Sequence, residues 1–111
     1  MPFELSDKVV IVTGAAKGLG RAYALALAAA GARVTVADIN LPGAESVAKE
    51  IRARGGQALA TSTDVAVEAS ATAMAEATMA SFGRIDALVN NAGIYPFVPI
   101  EELGLKEWES T

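Results

Sequence analysis

Three glycines in Thr13-Gly14-Ala15-Ala16-Lys17-Gly18-Leu19-Gly20 stand between an apolar run, Val9-Val10-Ile11-Val12, and an alanine-rich helix former. A glycine loop that joins a buried strand to a helix N-terminus is a pyrophosphate site, because the first amides of a helix lack intrahelical acceptors and the helix dipole favours an anion there. Each glycine has a part: Gly14 permits the sharp turn, Gly18 brings bare backbone near a ligand, and Gly20 lets helix pack on strand. The ligand expected is a dinucleotide. The reading requires that amides around residues 14 to 20 be free to grip a diphosphate.

A second chemical signal is Asp38, which ends the second apolar strand eighteen residues beyond Gly20. At about this spacing an acid accepts hydrogen bonds from the adenosine ribose hydroxyls, which favours NAD. A 2′-phosphate there would face the carboxylate, and two unit charges about 4 Å apart repel by roughly 4 kcal/mol at an effective dielectric of 20. Ile39 offers no compensating cation. Lys17 is the counter-signal; it serves a phosphate or is simply solvated, and an exposed pair is worth only about 0 to 1 kcal/mol.

Composition narrows the chemistry further. The 111 residues contain no cysteine and no histidine, which excludes disulfides, thiolate chemistry, imidazole catalysis and the usual zinc sites. No metal site is expected. A net charge of -4 argues against a nucleic-acid or anionic-membrane surface. The opening Met1-Pro2-Phe3-Glu4 lacks the basic and apolar regions of a secretory signal, and no apolar stretch reaches spanning length, so the expected location is cytoplasmic.

The elements that must position these residues follow from pattern. Strands are expected at Lys8 to Thr13, Arg33 to Asp38, Gln57 to Ser62 and Ala87 to Asn90, each an apolar or β-branched run. Helices are expected at Leu19 to Ala30, closed by Gly31; at Pro42 to Arg54, capped by Asn40 and stopped by Gly55-Gly56; and at Val67 to Phe82, stopped by Gly83. The third helix has no obvious cap. Its alanine and methionine positions 74, 75, 79 and 80 are expected to face the core, and Tyr23 in the first helix is expected to pack. Asn91-Ala92-Gly93 opens a loop, and a last helix is expected near Leu105. Alternating strands and helices with right-handed crossovers imply a parallel α/β sheet of order 3-2-1-4, with the first two helices on one face and the third on the other. One helix cannot cover four apolar strands, and strand four keeps an open edge. The pattern reads as the first half of a larger doubly wound domain.

The glycine loop, in the form Thr-Gly-x3-Gly-x-Gly, together with Asn90-Asn91-Ala92-Gly93 after the fourth strand, resembles the short-chain dehydrogenase/reductase family, and the similarity runs from about Lys8 to Trp108. The resemblance implies a single Rossmann domain carrying hydride chemistry on NAD(H) or NADP(H), of which residues 1–111 are the N-terminal part. It implies that Gly14, Ala16, Lys17, Gly18 and Leu19 surround the adenosine and pyrophosphate, with Gly20 packed behind them. It places Asp64 and Val65 beside the adenine, and Asn91, Ala92 and Gly93 along the cofactor cleft. A basic residue at Lys17 is similar to what NADP-using members carry, whereas Asp38 and Ile39 favour NAD. Structural readings stand beside these: Asp64 as a helix cap, Asn90 as a tie between strands, and Thr13 as a hydroxyl satisfying loop backbone.

The family's reaction implies a tyrosine acid-base with a lysine four residues later, a substrate-binding serine and a helical asparagine. None is identifiable here, since the positions four beyond Tyr23 and Tyr95 are Leu27 and Pro99. Kinship therefore points to an NAD(P)-dependent oxidoreductase acting on a secondary alcohol or ketone, present as its cofactor-binding half with no catalytic residue, and this chain alone is expected to be inactive. A non-catalytic NAD-binding module, or an assembly fragment that needs a partner chain or a second copy, are the alternatives.

Overall fold

The computed structural model describes residues 5–91. Seven elements alternate along them: β1 (Val9–Thr13), α1 (Gly18–Ala29), β2 (Arg33–Asp38), α2 (Leu41–Ala53), β3 (Ala58–Ser62), α3 (Glu68–Phe82) and β4 (Ala87–Asn90). The strands form one parallel sheet of order β3-β2-β1-β4, the α/β Rossmann arrangement deduced above. Among the described residues β4 pairs with β1 alone. The expected loop and helix after Asn91 lie outside the described residues.

The helices begin and end where local chemistry dictates. Asn40 caps α2, its Oδ1 accepting the Gly43 N–H at 3.2 Å. Gly31 follows α1 with φ 104° and Gly83 ends α3 with φ 80°, a left-handed conformation that glycine adopts without the Cβ clash of other residues.

Side chains alternate across the sheet, so each strand feeds two cores. Val10, Val12, Val34, Val36 and Ala87 pack beneath α1 and α2, meeting Ala24, Ala44, Val47, Ala48 and Ile51. Ile11, Ala37 and Leu88 point the other way, onto Met74 of α3. All five β1 residues are buried, and full burial of a Val or Ile side chain contributes about 1.5 to 3 kcal/mol. The expected division of the helices between the two faces is therefore observed.

Two packing expectations are corrected. Helix α3 buries Ala71, Met74, Ala75 and Thr78, whereas Met79 is 49% exposed and Ala80 is also exposed. These lie five residues beyond Met74 and Ala75, about 140° round the helix at 100° per residue. Tyr23 is 41% exposed, because α1 buries only Gly20 and Ala24 and Tyr23 sits about 60° round the helix from the first and about 100° from the second.

Polar ties fix the layers. Thr35 of β2 and Thr78 of α3, both fully buried, share a hydroxyl hydrogen bond of 2.8 Å, and Thr78 donates onward to the Met74 carbonyl at 2.9 Å. Glu50 of α2 joins Arg21 of α1 and Arg54, the residue that follows α2, at 2.6 and 2.8 Å. At the amino end of the sheet Asp86 and Val9 bond reciprocally: Asp86 Oδ2 accepts the Val9 amide at 2.7 Å, and the Asp86 amide donates to the Val9 carbonyl at 2.8 Å. Burial pushes the Asp86 carboxyl upward, but the Arg84 hydrogen bond, the Val9 amide and the charges of Arg84 and Lys8 prevail and hold it below its ordinary 3.8.

Candidate functional site

The parallel register sets the carboxyl ends of the strands in a row. Thr13 stands opposite Ala37 on one side and Asn90 on the other, and Asp38 stands opposite Ser62. The loops that leave this edge begin with Gly14, Ile39, Thr63 and Asn91. Strand order reverses between β1 and β4, where an open parallel sheet has its crevice.

The glycine loop divides its amides between the protein and open space. The Ala15 N–H donates to the Ala37 carbonyl at 3.2 Å, and the Ala16 N–H to Asp38 Oδ2 at 3.0 Å. Part of the span expected to be free is thus committed to protein, and Ala16 cannot offer its amide to a phosphate in this arrangement. The next amides differ. Among the described residues no hydrogen bond reaches the N–H groups of Gly18, Leu19 or Gly20, the first three positions of α1. Lys17, the extended residue before the helix, makes no side-chain cap.

Space at this corner matches the unused donors. Gly18 has φ +63°, and a Cβ added there would meet nothing within 4 Å. Leu19 is 60% exposed, and Lys17 is exposed. Gly20 is the opposite case: an added Cβ would lie 2.1 Å from the Gly14 oxygen and 2.8 Å from Asn91 Nδ2. The glycine that packs tightly and the glycine that leaves room are therefore different residues. Amides without protein acceptors at this helix start, with open space at Gly18 and an exposed Leu19, fit a diphosphate.

Asp38 spans the first and second β–α units. Its Oδ1 accepts the Asn40 amide at 2.9 Å while Oδ2 holds Ala16. An ionised carboxylate has about four acceptor positions, so roughly two remain for a vicinal diol. Ile39 is 69% exposed and carries no charge.

Other expected residues have defined partners. Asn91 Nδ2 donates to the Gly14 carbonyl at 3.2 Å, tying the loop after β4 to the loop after β1. Thr13 Oγ1 donates to Asn90 Oδ1 at 2.9 Å and lies 3.4 Å from the Val89 carbonyl. Asn90 is thus a strand tie as expected, whereas the Thr13 hydroxyl serves β4 rather than loop backbone. Asp64 Oδ1 accepts the Ala66 amide at 3.0 Å, its carbonyl accepts the Val67 amide at 2.9 Å, and its own N–H donates to Ser70 Oγ at 2.9 Å. Asp64 therefore closes a turn ahead of α3 and does not cap the helix, whose N-cap position is Val67 with no side-chain cap bond; Val65 beside it is half-buried. Ala92 and Gly93 lie outside the described residues.

Sequence reasoning missed Ser70 and Gly43. Ser70 lies three residues after Val67, the N-cap of α3, and its hydroxyl reaches back six residues to the Asp64 amide, a contact that the usual cap pattern does not announce. Gly43 sits where a Cβ would come within 2.9 Å of the Ala16 Cβ, a tertiary approach that no local pattern announces.

Comparison with known proteins agrees with this geometry. The family model described as short chain dehydrogenase matches residues 8–111. A D-threitol dehydrogenase of Mycolicibacterium smegmatis is 48% identical over 109 residues, covering 98% of this chain and 42% of that protein. A hydroxysteroid dehydrogenase from Escherichia coli superposes with a TM-score of 0.79 at 43% identity, over 81% of this chain and 37% of the other. A 7α-hydroxysteroid dehydrogenase, solved with NADH and 7-oxo glycochenodeoxycholic acid, gives a TM-score of 0.77 at 37% identity, over 96% and 43% of the two chains. The chain thus spans about two-fifths of the length of these relatives. With a parallel sheet of matching order, a glycine loop at its crevice and a family match over nearly every residue, the chain belongs to the short-chain dehydrogenase/reductase family.

Proposed function

We propose that these residues form the cofactor end of an NAD-dependent oxidoreductase acting on a secondary alcohol or the corresponding ketone. The observation that carries the proposal is the group of three unpartnered amides, Gly18, Leu19 and Gly20, at an open helix start beside Asp38. When bound, the nicotinamide ring supplies or accepts the hydride. The chain's own contribution is binding and orientation. The amides of α1 receive the diphosphate, with Lys17 close by; Asp38 receives the adenosine ribose diol; Asp64 and Val65 stand at the adenine end; Asn91 fixes the loop at the crevice, with Ala92 and Gly93 continuing the cleft. Across the carboxyl edge, three strand spacings of about 4.8 Å give roughly 14 Å from β3 to β4, a reach suited to an extended dinucleotide.

NAD is favoured over NADP by charge. A 2′-phosphate beside Asp38 would meet an anion whose two oxygens already face backbone amides, and exposed Ile39 supplies no cation. The named relatives act on a polyol and on hydroxysteroids by their own descriptions, which supports an alcohol or ketone as the substrate class. No tyrosine here is followed by lysine four residues later, so turnover is assigned to a longer polypeptide and the 111 residues alone are proposed to be inactive. Calorimetric titration with NAD, NADP and AMP tests the assignment. Saturable heat for NAD and AMP with weaker binding of NADP supports it; no heat from a folded sample with any of the three removes it.

A further inference from the structure

We infer that the outer edge of β3 is a pairing surface for a second copy of this chain, and that Arg52 holds it shut. Among the described residues β3 pairs with β2 alone, so one side of the strand meets no other strand. The ladder fixes which groups face that side. The Val34 amide donates to the Gln57 carbonyl and the Thr63 amide to the Asp38 carbonyl. With Val34 opposite Ala58 and Asp38 opposite Ser62, the groups turned toward β2 belong to Gln57, Leu59, Thr61 and Thr63. Ala58, Ala60 and Ser62 therefore turn their amides and carbonyls outward. The devices that usually blunt such an edge are missing from the strand itself: Ala58-Leu59-Ala60-Thr61-Ser62 carries no charge and no proline, and its register with β2 runs one to one without a bulge.

One device comes from the preceding helix. Arg52 of α2 donates from Nε at 3.2 Å and from Nη2 at 3.0 Å to the Ala58 carbonyl, the first outward acceptor of the strand. The outward groups are self-complementary under a two-fold axis through Ala60. Antiparallel pairing of two copies sets Ala60 opposite its own counterpart and Ala58 opposite Ser62. Because all three residues face outward, all three positions form the doubly hydrogen-bonded type of pair. Each Ser62 amide then needs the Ala58 carbonyl that Arg52 occupies, so the pair cannot close until the guanidinium leaves. Charge points to the same occupant. Glu45, Lys49 and Arg52 line one groove with Leu59 and Ala60; Arg52 overlies the start of β3, and Glu45, about two helical turns earlier, lies toward its end. The same axis brings the Glu45 end of one copy beside the Arg52 end of the other, while exposed Lys49 between them is free to turn to solvent.

Hydrogen exchange on the 15N-labelled full chain, followed amide by amide over a range of concentrations, tests this. In the unmodified chain the Ala60 and Ser62 amides are expected to exchange at unprotected rates, while Thr61, bonded to β2, is protected. A pair of unmodified copies must break the Arg52 contact in each, and at roughly tenfold per charge-assisted contact it forms about a hundredfold more weakly than a pair without them. Arg52→Ala is therefore expected to slow exchange at Ala60 and Ser62 by about tenfold or more at the highest concentration. The protection should fade on dilution, in step with a dimer seen by sedimentation. Fast exchange at Ala60 in a folded Arg52→Ala chain overturns the inference, whether that chain stays single or associates through another surface. Equal protection of Ala60 in the unmodified and Arg52→Ala chains also overturns it. So does a change confined to faster exchange at Thr61, which is the mark of a merely structural Arg52. If Arg52→Ala does not fold, Arg52→Met, which keeps the length of the side chain without a donor, carries the same comparison.

Discussion

The carboxylate of Asp38 holds the amide of Ala16 at 3.0 Å, so the second β–α unit steadies the glycine loop of the first. The proposed cofactor selectivity and the geometry of the loop therefore rest on one side chain. Asp38→Asn removes the charge and leaves a single carbonyl acceptor for the two amides that the carboxylate now serves. The preference for NAD over NADP is expected to fall by about tenfold or more, equivalent to about 1.4 kcal/mol, with NAD itself bound more weakly. Parallel titrations with the two dinucleotides check this, and an unchanged ratio would exclude charge at Asp38 as the source of selectivity.

Gly20 and Gly18 should respond differently to the same added methyl. Gly20→Ala sets a Cβ 2.1 Å from the Gly14 oxygen, a contact that only backbone movement relieves, and overpacking of this kind costs about 1 to 3 kcal/mol or more. Gly18→Ala has open space and bears only the left-handed conformation at φ +63°, about 1 to 2 kcal/mol. Urea midpoints should therefore rank unmodified chain, Gly18→Ala, Gly20→Ala. The reverse order would contradict the packing described here.

The Thr35–Thr78 pair offers a cycle with a distinctive sign. Thr78→Val strands the buried Thr35 hydroxyl, and an unsatisfied buried polar group costs about 1 to 3 kcal/mol. Replacing both threonines by valine removes donor and acceptor together and should cost less than the sum of the single changes. Chemical denaturation of all four proteins measures the coupling. Simple additivity would mean that the 2.8 Å contact contributes nothing specific.

Asp86 makes stability depend on acid. Its folded carboxyl titrates below 3.8, so in that interval the unfolded chain binds more protons than the folded one and stability drops as pH falls. The contribution is fully present above the unfolded value and is lost on descent through the folded one. The latch between β4 and Val9 weakens with it. Asp86→Asn should be less stable near neutrality and show a shallower decline below pH 3.8, measured by denaturant midpoints across pH. An unaltered slope would assign the acid sensitivity elsewhere.

Much of this arrangement was legible from residue order because its signals are local. Buried parallel strands read as continuous runs such as Val9-Val10-Ile11-Val12, and Gly31 and Gly83 mark helix ends through conformations only glycine accepts cheaply. Strand order followed from handedness. What the sequence concealed was tertiary. That Asp38 occupies the Ala16 amide depends on two loops meeting, and that Met79 is exposed depends on where α3 lies over the sheet. Thr13 turning to Asn90 rather than its own loop has the same origin: a hydroxyl's partner is set by register, here Thr13 opposite Asn90.

The central claim, that the first amides of α1 grip a diphosphate, is tested most directly by amide chemical shifts of the 15N-labelled chain during titration with NAD. Saturable perturbations largest at Gly18, Leu19 and Gly20, with Ala15 and Ala16 less affected, are the expected result. Unmoved resonances at those three positions at millimolar NAD, or shifts concentrated at the amino end of the sheet around Val9 and Asp86, would contradict it.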